Sequence, residues 1–135
     1  MIKKIEILVI NIFNKFIGID CSEIKRVISD ISLNNESALI KEYEIKKRFF
    51  RIGKLLNIEQ MPEYNSLVIV DSNDGKDIII STPSISEIIS IDLLDILIIP
   101  EFIRKKQDPV FIWGFYKNYK ELISLITFTF FINKG

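Results

Sequence analysis

Cys21 is the one cysteine in this chain of 135 residues, and the sequence contains no histidine. A thiolate nucleophile needs a cationic or helix-N-terminal setting. Cys21 precedes a segment carrying Lys25 and Arg26, which would supply one, but no imidazole is available to act as its base. The plainer expectation is a small, half-buried residue at a junction between elements. The same absence of histidine removes His-based metal sites and Ser-His or Cys-His pairs, and a lone cysteine cannot form an intramolecular disulfide. Carboxylates come in local sets. Glu42 and Glu44 flank Tyr43, as on a solvent face, rather than forming an acid–base pair. Asp71-Ser72-Asn73-Asp74-Gly75 has the beginnings of a calcium loop but lacks the later ligands and the distal Glu, so it reads as a turn. Lys46, Lys47, Arg48, Arg51 and Lys54 interleave with Phe49 and Phe50, a pattern compatible with single-stranded nucleic acid. Alternation instead predicts an ordinary strand with Phe50 and Ile52 inward and Arg51 outward. No catalytic, cofactor-binding or metal-binding residue is assigned.

Composition limits the function classes further. Eighteen basic and eighteen acidic residues balance to zero, whereas nucleic-acid binders draw affinity from a basic excess. No nucleic-acid partner is expected. Met1-Ile2-Lys3-Lys4 is followed by Glu6 and Asn11 with no small-residue cleavage site, so it does not read as a signal peptide. Leu122 to Ile132 is too short, and too interrupted by Ser and Thr, to span a bilayer as a helix. A soluble, cytoplasmic protein with no membrane insertion is the expectation. With 48% hydrophobic residues and no net charge, exposed apolar patches would favour association, which suits an interaction module and leaves a homo-oligomer open.

The elements that would position these residues repeat. Ile17 to Ser29 aligns without a gap on Ile78 to Ser90, with aliphatic residues matched at 17/78, 19/80, 24/85, 27/88 and 28/89. Upstream, Leu8-Val9-Ile10 answers Leu67-Val68-Ile69; downstream, Phe50-Arg51-Ile52 answers Ile123-Ser124-Leu125. The chain holds 30 isoleucines, so coincidence accounts for some of these matches. Each half reads as strand, turn, strand, short helix or turn, and a later strand. Residues 5 to 13 alternate with a phase slip that predicts a bulge, ahead of a tight turn at Asn14-Lys15. Asp20 or Ser22 is expected to cap a short helix with Ile24, Val27 and Ile28 on one face. Pro83 is expected to open a second helix. Residues 38–40 and 43–45 are expected as strand, pairing with 48–52, and residues 53–58 as one helical turn. Pro62 marks a joint between halves of roughly 1–60 and 61–135 within a single domain. Asp74-Gly75 signals a hairpin. Strands are expected over 110–116 and 120–132. Ile19, Ile80, Ile85 and Ile88 are expected in the core.

In order and character these features resemble the CheW-like domain of the chemotaxis coupling family. The resemblance rests on Gly18-Ile19-Asp20 followed by Ile24 and Val27, on Ile98-Ile99-Pro100-Glu101-Phe102, on Phe111-Ile112-Trp113-Gly114-Phe115 and on Leu122-Ile123-Ser124-Leu125. It covers nearly the whole chain through pattern rather than rare residues. It implies an all-β fold of two small SH3-like five-stranded barrels packed with pseudo-twofold symmetry, plus short helices. It also implies a non-enzymatic adaptor that couples chemoreceptors to the regulatory domain of a histidine kinase, with no cofactor. The segment around the first expected helix would supply the partner surface: Ser22, Ile24, Lys25, Arg26 and Val27. Two departures bear on this. Residues 34–52 lack the family's glycine-containing turn, and Arg26 stands where the family usually carries Glu. Reversing that charge changes which partner is accepted. The alternatives are a diverged scaffold of this fold with another partner or with itself and, less favoured, a small enzyme.

Overall fold

The computed structural model describes residues 3–29, 40–46, 48–59, 63–71, 77–100, 111–119 and 121–128. Strands dominate. β1 (Lys4–Ile12) and β2 (Lys15–Asp20) form a hairpin, and a 3₁₀ turn (Cys21–Glu23) leads into β3 (Ile24–Ser29). Helix α1 (residues 40–45), β4 (Phe49–Arg51) and helix α2 (Ile52–Leu55) follow. β5 (Ser66–Asp71) and β6 (Asp77–Thr82) make a second hairpin, succeeded by β7 (Ile85–Asp92), a 3₁₀ turn (Leu93–Asp95) and β8 (Leu97–Ile98). β9 (Phe111–Asn118) and β10 (Glu121–Thr127) complete the order.

The hairpins exchange partners. One sheet runs β7-β1-β2-β10-β9-β8 and the other β3-β5-β6-β4, so the expected five-stranded units are a six-stranded and a four-stranded sheet among the described residues. Hairpin β1-β2 takes β7 antiparallel on β1 and β10 parallel on β2. Hairpin β5-β6 takes β3 antiparallel on β5 and β4 parallel on β6. Each sheet therefore draws strands from both sides of the joint near Pro62.

The ladders correct the finer sequence alignment. Val9 lies opposite Gly18 and Glu87, while Ile69 lies opposite Ile79 and Arg26. Leu8-Val9-Ile10 thus answers Val68-Ile69-Val70, one residue later than expected. A one-residue slip exchanges the two faces of a strand, and an all-aliphatic run cannot report it. Similarly, Ile126 lies opposite Ile19 as Phe50 lies opposite Ile80, so Phe50 answers Ile126 rather than Ile123.

The faces explain the apolar runs. Leu8, Ile10, Ile17 and Ile19 meet Val68, Val70, Ile78 and Ile80 in one cluster to which both hairpins contribute. On the opposite faces, Ile7 and Val9 join Ile123 and Leu125, while Leu67, Ile69 and Ile79 form a smaller cluster. Strands buried on both faces read as continuous hydrophobic runs. The phase slip in β1 is therefore burial on two sides and not a bulge in that strand, which pairs with β2 without interruption from Ile7 to Ile12.

Several expected elements differ. Both predicted short helices, after Asp20 and after Pro83, are the strands β3 and β7; only Cys21–Glu23 is helical in the first. Residues 40–45 are helical, not strand; residues 38 and 39 lie outside the described set. The first hairpin turns at Phe13-Asn14, one residue early, with both at positive φ. Ile19 and Ile80 are fully buried as expected, but Ile85 is only partly buried and Ile88 is 61% exposed. Ile88 surfaces because β7 ends its sheet. Phe50 and Ile52 pack inward and Arg51 outward, as alternation predicts. The expected loops at 34–37 and 72–75 lie outside the described residues, although Asp71 pairs with Asp77 across the second hairpin.

Candidate functional site

β3 carries the predicted surface. Asp20 closes the entry: its carboxylate accepts a hydrogen bond from the Ser22 backbone N–H at 2.9 Å, ending β2 in the 3₁₀ turn. β3 then leaves as the end strand of its sheet. Between Ile24 and Arg26 its register on β5 shifts by one residue, which inserts Lys25 as a bulge. A bulged residue has no counterpart on the partner strand and disturbs the alternation of side chains. Lys25, Arg26 and Val27 are consequently exposed in succession, while Ile24 and Ile28 are half-buried. Ser22 is exposed in the turn. Lys25 reaches Asp77 at the start of β6, with Nζ 3.2 Å from Oδ1. Such an exposed pair is worth about 0–1 kcal/mol, and it commits the ammonium. Arg26 takes part in no ion pair among the described residues. The structure thus brings the five predicted residues onto one turn and one end strand, not onto a helix.

β7 repeats this geometry. Its register on β1 shifts between Ile85 and Glu87, bulging Ser86, and its burial sequence over residues 85–90 matches that of 24–29 position by position. Arg26 corresponds to Glu87 and Val27 to Ile88. The aligned window contained this correspondence; reading it as helix hid the bulge.

Cys21 sits half-buried at the junction. Burial, and then the carboxylates of Glu6 and Asp20, push its thiol above the ordinary range. Of the cations expected to activate it, Lys25 is paired with Asp77 instead, and the group stays a thiol at neutral pH. Beside it, Glu23 is largely buried and accepts a hydrogen bond from the Thr127 hydroxyl at the end of β10, tying the turn before β3 to the other sheet. Burial raises the Glu23 carboxyl pKa; the bond from Thr127 opposes the shift and the nearby Asp20 charge adds to it. Sequence offered no signal for this contact, which joins residues 104 positions apart.

A groove of about 400 Å³ opens along β2 and β10, lined by Lys15, Phe16, Ile17, Leu56, Ile58, Ile112, Glu121, Leu122 and Ile126 among others. Ile112 and Leu122 are exposed. Trp113 and Tyr116 turn instead toward the cluster behind β1 and β10. β8 lies against β9 at Gly114, where a Cβ would come 3.0 Å from the Leu97 carbonyl oxygen.

No protein-family model and no curated protein matches the sequence. The solved structures do provide a match. The crystal structure of the scaffolding protein TtCheW from Thermoanaerobacter tengcongensis is similar over 98% of this chain and 95% of its own, with a TM-score of 0.71 at 18% sequence identity. The chain has a CheW-like fold. The all-β expectation, with two strand-built units and only short helices, holds. At this identity the likeness to TtCheW is one of fold, so β3, the groove and their chemistry stand on this chain's own residues. Among the described residues, no helix is long and apolar enough to cross a membrane.

Proposed function

We propose that this protein is a non-enzymatic adaptor working through protein–protein contacts, of the kind that couples chemoreceptors to a histidine kinase. The observation that supports this best is the whole-chain likeness to a scaffolding protein. The exposed strand β3 and the apolar groove beside β10 supply surfaces that such a role uses. In this reading Ser22, Ile24, Lys25, Arg26 and Val27 form a partner surface. Its charge favours an acidic partner at Arg26, the reverse of what a surface with Glu there would select. That charge also supports the second reading, a scaffold of the same fold serving a different partner. Tagged full-length protein, recovered from its native cell with whatever it binds, separates the two. Recovery of a receptor or histidine kinase supports coupling; recovery of another assembly supports the second reading. Arg26→Glu then tests the surface. It should weaken binding to the native partner, most at low salt, while leaving the fold unchanged. Unaltered binding would remove Arg26 from the interface.

A further inference from the structure

Four strands end the two sheets among the described residues, and β3 in one and β7 in the other are the long ones, β8 and β4 being two and three residues. The long pair are six and eight residues, enough to receive another strand. Among the described residues their outward backbone groups have no ladder partner. Such an edge is a template for a further chain unless charge or shape blocks it. The two edges share a bulge and a burial pattern, so they match in form. They differ in charge. β3 presents Arg26 beside Lys25, the latter held by Asp77, and β7 presents Glu87. Each also exposes one aliphatic residue at the matching position, Val27 at 36% and Ile88 at 61%.

We propose that a second copy of this chain adds its β7 edge to the β3 edge of the first. Charge selects this arrangement over its rivals. β3 against β3 would bring Arg26 toward a second Arg26, and β7 against β7 would oppose Glu87 to itself; like charges across neighbouring strands are destabilising. β3 against β7 pairs opposite signs. With the strands parallel, the alignment that sets Arg26 beside Glu87 also sets Val27 beside Ile88 and covers both aliphatic side chains. The surfaces joined are different, so each pair of copies retains one free edge of each kind, and association continues as a ring or a filament. The inference concerns copies of this chain and does not depend on the receptor or kinase reading.

Sedimentation velocity of the full chain over a concentration series tests it. At low salt the average mass should climb with concentration, and about 0.5 M salt should suppress the climb by screening the exposed pair. Arg26→Glu and Glu87→Arg should each weaken association about tenfold, the order expected when a cross-strand attraction becomes a repulsion. The double variant R26E/E87R should restore it, because every contact again joins opposite charges. Both side chains are exposed, so circular dichroism spectra matching the parent protein are the expected control. A chain that remains monomeric throughout at low salt would overturn the proposal. So would an assembling chain whose double variant associates no better than the single ones.

Discussion

Gly18 and Ile79 hold the same place in the two hairpins, yet one has no side chain. In its sheet the space over Gly18 is filled by neighbours: a Cβ there would come 2.6 Å from Ile7 Cγ2 and 2.8 Å from Leu125 Cδ2. Both neighbours are fully buried. Gly18→Ala should therefore cost roughly 1–3 kcal/mol by overpacking, visible as a lower melting temperature; an unchanged value would show that Ile7 and Leu125 can give way. Ile80, fully buried between the hairpins, tests the opposite fault. Ile80→Ala should cost about 2–5 kcal/mol through lost transfer energy and a cavity, and an unaltered midpoint in denaturant would place Ile80 outside the core. Glu23 adds a pH dependence. Its folded pKa is raised, chiefly by burial, so the native state holds this proton at pH values where the unfolded chain has released it. That contribution is fully present below the ordinary carboxyl range and is lost as pH rises through the raised value. Glu23→Gln should accordingly gain stability relative to the parent as pH rises across that window. Parallel melting curves at acid and neutral pH would contradict this if the difference between the two proteins stayed constant.

Elements show where local signals were enough and where they failed. The hairpin β1-β2 turns through Phe13 and Asn14, with φ of 47° and 67°. The Asn14 backbone N–H donates to the Asn11 side chain at 2.9 Å. Positive φ at both central positions suits Asn-Gly, and a bulky residue such as phenylalanine is held there under strain. Replacing Phe13-Asn14 by Asn-Gly should stabilise the protein by about 1 kcal/mol; a fall in melting temperature would contradict the turn geometry. The hairpin itself was legible from alternation and a polar turn residue, but its turn was not, because phenylalanine is an improbable occupant. β3 and β7 failed for another reason. Their bulges at Lys25 and Ser86 disturb the two-residue period, and the resulting spacing of Ile24, Val27 and Ile28 imitates a helix face. Residues 40–45 inverted the error: a charged helix containing Tyr43 and Ile45 gave an alternation that looked like strand. Of the candidate surface, the exposure of Ser22, Lys25 and Arg26 was readable, whereas its strand character, its twin on β7 and the link from Glu23 to Thr127 needed the tertiary structure.

For the whole molecule, the exchange of β3 and β7 between hairpins makes each sheet depend on residues from both sides of the joint near Pro62. Neither hairpin completes its sheet without strands that follow or precede the other hairpin in the chain, so unfolding should be one cooperative transition, with fluorescence of Trp113 and far-ultraviolet circular dichroism changing together. The central functional claim is that this cooperative frame serves as an adaptor, with β3 presented to a partner. Binding of the purified full-length chain, and of its Arg26→Glu variant, to the complex recovered with it from the native cell addresses that claim most directly. The adaptor account predicts a receptor or histidine kinase in that complex, bound reversibly and more tightly at low salt by the parent than by the variant. A native complex containing neither protein, or equal affinity for the two forms, would contradict it.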